Sequence, residues 1–390
     1  MITQRLQRLT PYIPGEQPKD RPYIKLNANE NPYPPSPRVA QALEVLAAHN
    51  PMNMALYPDP ESAELRAAIA DMLNQTGGVL CRTAVTHDGV CRPAPENALA
   101  SPLTPDMLFA GNGSDEVLSF LFCAFFESDR PLVLPCHTYS FYPVYAAYYQ
   151  IPLNPVPLHD DMSVDIPALI DAAQRTQSSI ILANPNAPTA RAVSREQIAS
   201  LLDSCPRGQI VAVDEAYADF GTESALPLLS RYDNLVVVRT FSKSFSLAGM
   251  RLGYAAAQPE LISALTKAKN SFNHFPCDIA VQTAGIAACS DVPYYVCTAQ
   301  QITTEREAFT AFLRTQGWCV SDSQTNFVFV QKKPYEGRFL YEYIKQHGIL
   351  VRHFAAEEIQ NHIRITIGTE QHMRQLRQCL SDMPAAAYGS

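Results

Sequence analysis

No apolar run in this chain of 390 residues approaches the roughly 18 that a membrane-crossing helix needs. The opening MITQRLQRLTPYIPG has no apolar segment like that of a secretory signal. Neither membrane insertion nor export is expected, and the cytoplasm is the expected location. An excess of basic charge is missing too: 30 Lys+Arg stand against 38 Asp+Glu, for a net charge of −8. No basic stripe runs beside aromatics, which argues against a nucleic-acid partner. The ten cysteines include no C-x-x-C pair and no Cys/His cluster at zinc spacing, so neither a metal nor a disulfide framework is expected. Cys81 and Cys91, in a Pro/Gly-rich stretch, are the pair to watch. Internal repeats are absent.

What the chain does have is apolar mass, 47% of its residues, and a length beyond the size at which one core stops growing, so two domains are expected. Short β-branched runs, MLFA, PLVLP, SIILAN, QIVAVDEA and NLVVVRTF, alternate with helical patterns. Buried strands separated by helices predict an α/β architecture with a mainly parallel sheet flanked by helices. Ligands of such sheets sit beyond the carboxyl ends of the strands. The notable polar residues fall there: Gly113 to Asp115, Tyr139, Asn184, Asn186, Asp214, Ser242 and Lys243. The expected division is an arm plus part of a small domain over 1–50, a large domain over 51–280, and a small α+β domain over 281–390 carrying NFVFVQ, RFLYEYIKQHG, ILVRHF and HIRITIG. The stretch 75–105 has neither helical nor strand periodicity and reads as a surface excursion, either an inert insertion or a functional loop.

Three elements carry chemistry. In RTFSKSFSLAGMRLGY, Lys243 follows a strand and lies between Ser242 and Ser244, with Arg251 beyond; hydroxyls and a fixed cation offer a place for an anion. An isolated lysine in a polar loop is otherwise a solvated charge. FAGNGSDEVLSFL places a glycine turn before a helix, whose first N–H groups can seat a phosphate. A helix capped by Ser114 with nothing bound is the other reading. No Gly-Lys-Ser/Thr follows, so this is not a nucleotide P-loop. In VAVDEAYADF, Asp214 ends an apolar strand, where it either caps a helix or serves as a buried carboxylate. Together they supply an amine, a phosphate cradle and a carboxylate. Pyridoxal 5'-phosphate requires that set: a lysine for its Schiff base and an acid for its pyridine nitrogen.

These residues, with LNANENPYPP, YPDPES, TYSFYPVYA and NPNAPT, resemble the fold-type I, aspartate-aminotransferase-like enzymes and, within them, the histidinol-phosphate aminotransferases. The likeness runs through nearly the whole chain. It implies Lys243 as Schiff-base lysine, Asp214 as partner of the pyridine nitrogen, Tyr217 at the ring hydroxyl and Tyr139 stacked on the ring. Backbone at Ser114 and Asp115, with Ser242 and Arg251, would hold the phosphate. Tyr57 would reach the phosphate of a neighbouring subunit, which implies a homodimer. The family's usual NPNNPTG reads NPNAPTA here, with Ala187 in place of an amide that bonds the ring hydroxyl and Ala190 in place of glycine. Asn186 is then the candidate substitute, or Tyr217 serves that oxygen alone.

Arg352 and Arg364 would grip substrate anions, with Asn29 and Glu30 near the entrance. The reaction implied is reversible amino transfer between L-histidinol phosphate and 2-oxoglutarate, giving imidazole acetol phosphate and glutamate, a step of histidine biosynthesis. An aromatic amino-acid aminotransferase, a lyase resembling threonine-phosphate decarboxylase, and a catalytically silent ligand-binding protein stay open as alternatives.

Overall fold

The computed structural model describes residues 1–49, 51–80, 83–85, 91–93, 99 and 101–384. Strand β1 (Ile24–Lys25) belongs to the N-terminal arm, and β2 (Thr83–Val85) with β3 (Cys91–Pro93) forms an antiparallel pair within 75–105. That pair corrects the expectation of a stretch without strands. Cys81 and most of the remaining excursion lie outside the described residues.

Seven strands build the main sheet: β4 (Leu108–Asn112), β5 (Leu132–Pro135), β6 (Leu153–Val156), β7 (Ile180–Ala183), β8 (Val211–Asp214), β9 (Leu235–Thr240) and β10 (Leu252–Ala257). Their order is β4-β10-β9-β8-β7-β5-β6, parallel except for β10, which runs antiparallel to both its neighbours. The apolar runs follow from burial on both faces: Leu235 and Val237 enter one core while Val236 and Val238 enter the other. Helices cover the two faces, several with side-chain caps: Asp165 on Ala168 N, Ser194 in a capping box with Gln197, and Asp278 on Val281 N.

A second sheet has the order β11-β12-β15-β14, built from β11 (Cys319–Val320), β12 (Phe327–Gln331), β14 (Arg352–His353) and β15 (Ile363–Thr366). Strand β13 (Ile349–Leu350) pairs instead with β1, in parallel. The arm is thereby fastened beside the C-terminal strands, and Leu26 N donates to Leu350 O and Thr366 N to Leu26 O. This pairing carries residues 27–31 over the carboxyl ends of β8 and β9, where the polar residues gather.

Candidate active site

Two cavities adjoin at Lys243. The inner one, about 280 Å³, is lined by Ser114, Asp115, Tyr139, Asp214, Tyr217, Ser242, Lys243 and Arg251 among others. The outer one, about 680 Å³, also includes Tyr139, Tyr217 and Lys243, and adds Tyr12, Asn27, Asn29, Arg352 and Arg364.

The inner cavity begins at the helix Gly113–Phe125. Its N-cap is Asn112, without a side-chain hydrogen bond. Ser114 therefore lies inside the first turn rather than capping it, a correction to that reading; the Asn112 side chain does not close this turn against an anion, while Glu116 Oε2 accepts from Asn112 N at 2.7 Å. Two glycines allow the close packing around it. A Cβ on Gly253 of β10 would stand 2.3 Å from Ser114 N, and one on Gly113, whose φ is +79°, would stand 2.6 Å from Arg251 Nη2. Arg251 reaches Asp115 Oδ2 at 3.0 Å and Ser242 Oγ at 3.4 Å. Cation, hydroxyl and helix terminus thus converge, as an anion seat requires.

Asp214 ends β8 fully enclosed. Its carboxyl accepts from Tyr142 Oη at 2.9 Å and from Ala216 N at 3.1 Å. Burial outweighs these bonds and lifts its pKa to about 6. Such a carboxylate is suited to a cationic partner inside the cavity. Tyr139 donates to Asp115 Oδ1 at 2.8 Å, and burial, then Asp115, pushes its hydroxyl well above the ordinary tyrosine value. Its ring meets Tyr142 edge-on, centroids 5.4 Å apart.

Lys243 sits on a loop held from the arm: Asn31 Nδ2 donates to the carbonyls of Lys243 and Ser244 at 2.9 and 3.2 Å. Its Nζ donates to Ala28 O at 3.3 Å and lies 5.7 Å from the Tyr217 ring centroid. Tyr217 accepts from Asn29 Nδ2 at 2.9 Å.

In the outer cavity Arg364 donates to Asn27 O at 3.2 Å, and its Nε is sealed without a partner. Phe327 and Phe354 flank the guanidinium at 5.2 and 5.8 Å, and no carboxylate pairs with it among the described residues. Burial chiefly, and the like charge of Arg352, lower its pKa. Arg352 reaches Ile13 O at 3.4 Å.

Not every expected residue is gathered here. Asn186 lines neither cavity, because its amide nitrogen donates to His137 O and Thr189 Oγ1 at 2.8 and 3.0 Å. Ala187 lines both, and Ala190 holds φ +66°, a conformation glycine adopts freely. Tyr57 stands 84% exposed, stacked on Phe275 at 4.7 Å, away from both cavities. Glu30 lines the inner cavity and pairs with Lys25 at 2.7 Å. Sequence reasoning missed Tyr142 and Asn31; only the position of Tyr142 three residues after Tyr139 hinted at a shared helical face.

The model of the family "Aminotransferase class I and II" matches residues 21–380. The chain belongs to this aminotransferase family. It is 45% identical to the histidinol-phosphate aminotransferase of Syntrophus aciditrophicus and 44% identical to that of Chromohalobacter salexigens, in each case over 96% of both chains. Among solved structures, histidinol-phosphate aminotransferase from Sinorhizobium meliloti in complex with pyridoxal-5'-phosphate matches with a TM-score of 0.81 at 25% identity, covering 97% of this chain and 96% of that one. A Thermus thermophilus aspartate aminotransferase variant shares the fold, with a TM-score of 0.78 at 18% identity over 98% and 99% of the two chains.

Proposed function

We propose that this chain transfers the amino group of L-histidinol phosphate to 2-oxoglutarate, with imidazole acetol phosphate and glutamate as products. The observation that carries the proposal is the place of Lys243. It stands where an anion seat and a buried carboxylate on one side meet an unpaired guanidinium, Arg364, on the other.

Pyridoxal 5'-phosphate is the cofactor of the family, and the inner cavity fits it. The uncapped first turn at Ser114 and Asp115, with Ser242 and Arg251, suits the phosphate. Asp214, lifted by burial, suits a protonated pyridine nitrogen. When bound, the cofactor supplies an aldehyde to carry the amino group and a ring to absorb charge developing at the substrate's Cα.

The residues would then act as follows. Asp214 would hold the proton on the pyridine nitrogen. Tyr217 would donate to the ring hydroxyl oxygen, and Tyr139 would lie against the ring. Lys243 would take the proton from the donor's Cα and deliver it to the cofactor's aldehyde carbon. Arg364 and Arg352 grip the phosphate of one substrate and the carboxylates of the other, because a planar guanidinium forks onto either anion.

Three further assignments belong to the same proposal. The enzyme is a cytoplasmic homodimer, with Tyr57 reaching the phosphate in the neighbouring subunit; the exposure of its ring supports that. The domains are 1–50, 51–280 and 281–390, and the β1–β13 pairing supports joining the arm to the C-terminal unit.

The test is a steady-state comparison of histidinol phosphate with phenylalanine, each with 2-oxoglutarate. The expected result is a higher kcat/KM for histidinol phosphate. A preference for phenylalanine would overturn the substrate assignment, and carbon dioxide release from threonine phosphate without need of an oxo acid would replace transfer by a lyase reaction.

A further inference from the structure

We infer that Asn29 is a positioning residue that fixes the direction of the Tyr217 hydroxyl, so that the tyrosine's proton is offered to the cofactor's ring oxygen. The inference rests on the reading that pyridoxal 5'-phosphate occupies the inner cavity.

The direction follows from counting donors and acceptors. Asn29 N donates to Thr366 Oγ1 at 3.0 Å, and Thr366 Oγ1 is 3.1 Å from Asn29 Oδ1. A hydroxyl that accepts from the backbone N–H still has its own proton, and the carboxamide oxygen can only accept it. With the amide reversed, Thr366 Oγ1 would accept a second N–H and its own proton would meet no acceptor among the described residues, so the amide oxygen belongs on the Thr366 side. The other end, Nδ2, has only protons to give, and it stands 2.9 Å from Tyr217 Oη. The phenol is therefore the acceptor in that bond. Among the described residues its own proton meets no protein acceptor, and Tyr217 lines the inner cavity.

The support around Asn29 is rigid. The residue is 1% exposed and holds φ +54°, a conformation asparagine tolerates better than most side chains. Asn326 Nδ2 donates to its carbonyl at 3.0 Å. Phe327 meets the Tyr217 ring edge-on at 5.1 Å, so the phenol cannot swing away. No amide substitutes for it: residue 187 is alanine, and the Asn186 nitrogen is committed elsewhere. Lys243, 5.7 Å from the ring, and Arg364, whose charge senses the phenol, are both donors, so neither competes for its proton.

Asn29→Asp keeps the shape and the tolerance of positive φ but turns the donor into an acceptor, so Tyr217 would give its proton to the new carboxylate. A hydrogen bond donated to the ring oxygen favours its anionic form and so lowers the pKa of the cofactor's visible absorption; losing it raises that pKa. The measurement is the absorption of purified holoenzyme titrated with pH, with the cofactor dissociation constant from reconstitution as a second readout.

In Asn29→Asp the absorption pKa should rise by about one unit, as in Tyr217→Phe, and cofactor affinity should fall about tenfold. The double variant should match Tyr217→Phe alone, because Asn29 acts through that hydroxyl. Thr366→Val, isosteric and outside both cavities, should move the pKa in the same direction by less. An Asn29→Asp titration identical to wild type, or additive effects in the double variant, would overturn the inference while leaving the cofactor assignment intact. If Asn29→Asp fails to fold, the Thr366→Val titration decides on the same criterion. A wild-type protein with no visible band would sink the cofactor reading itself, and the inference with it.

Discussion

Tyr142 gives its hydroxyl proton to Asp214 at 2.9 Å, inside the protein and at the carboxyl end of β8. Burial nevertheless leaves the acid with a pKa of about 6 instead of 3.8. Without cofactor, the folded protein then holds a proton between roughly pH 4 and 6 that the unfolded chain has released. This contribution to stability is fully present below the lower value and lost as pH rises through the upper one. The shift to about 6 corresponds to at most about 3 kcal/mol. Asp214→Asn apoprotein should therefore resist urea better than wild type at pH 8, with the gap closing near pH 4, yet bind pyridoxal 5'-phosphate more weakly. Tyr142→Phe should move the apoprotein's pH-dependent loss of stability to higher pH. Urea melts of apoprotein across that range check both.

Lys243 makes no ion pair among the described residues; its one hydrogen bond is to a backbone carbonyl. Lys243→Ala should thus leave apoprotein stability within about 0.5 kcal/mol of wild type. It should remove the visible cofactor band and lower kcat by at least about 1,000-fold. Borohydride reduction followed by peptide mapping should place the label on Lys243 in the wild type and nowhere in the variant.

The sheet was legible in the sequence wherever both faces are buried, as in Leu235–Thr240, because Leu235 to Val238 form an unbroken apolar, mostly β-branched run. Strand β10, LGYAAA, escaped because small residues give neither a strand nor a helix period, and its reversal depends on its neighbours rather than on itself. The edge strand β6, LNPV, escaped because it is only partly covered. Lys243 and Asp214 were legible as residue types at strand ends, and Arg251 as a cation beyond the lysine. The partners that orient them were not: the Tyr217–Asn29 bond spans 188 positions and the Asp214–Tyr142 bond 72, and no local pattern encodes either. Asn186 was misplaced for the same reason, since its amide is claimed by His137 O, 49 residues away.

Tyr57 and Phe272 are 84% and 82% exposed, and Met52 is 69% exposed, large apolar side chains open to solvent on the single chain. A dimer would cover it, and burying an aromatic side chain of this size removes about 150–250 Å² from water. Sedimentation of the wild type should give a dimer. If Tyr57 touches the neighbouring cofactor phosphate, Tyr57→Phe should remain dimeric and raise the cofactor dissociation constant about tenfold through loss of one hydrogen bond to a charged group. A monomeric wild type would refute the shared site.

Arg239 and Arg364 should respond in opposite ways to removal. Arg239 is fully buried between Glu215, at 2.7 Å, and Asp219, at 3.3 Å. Arg239→Met would strand both acids, and a loss of about 3–5 kcal/mol in unfolding free energy is expected. Arg364 has aromatic rings and a backbone carbonyl for company and no acid among the described residues. Arg364→Met should raise apoprotein stability by about 1–2 kcal/mol, because a partly desolvated cation without a counter-ion disappears. The same change should raise KM for 2-oxoglutarate about 100-fold, the loss expected when a substrate carboxylate loses its charged partner. Arg364→Lys keeps the charge without the fork and should fall between the two. Urea melts together with KM measurements separate the cases. A gain in stability joined to a loss of substrate binding marks a cation held ready for a ligand, whereas loss of both would make Arg364 a structural element like Arg239.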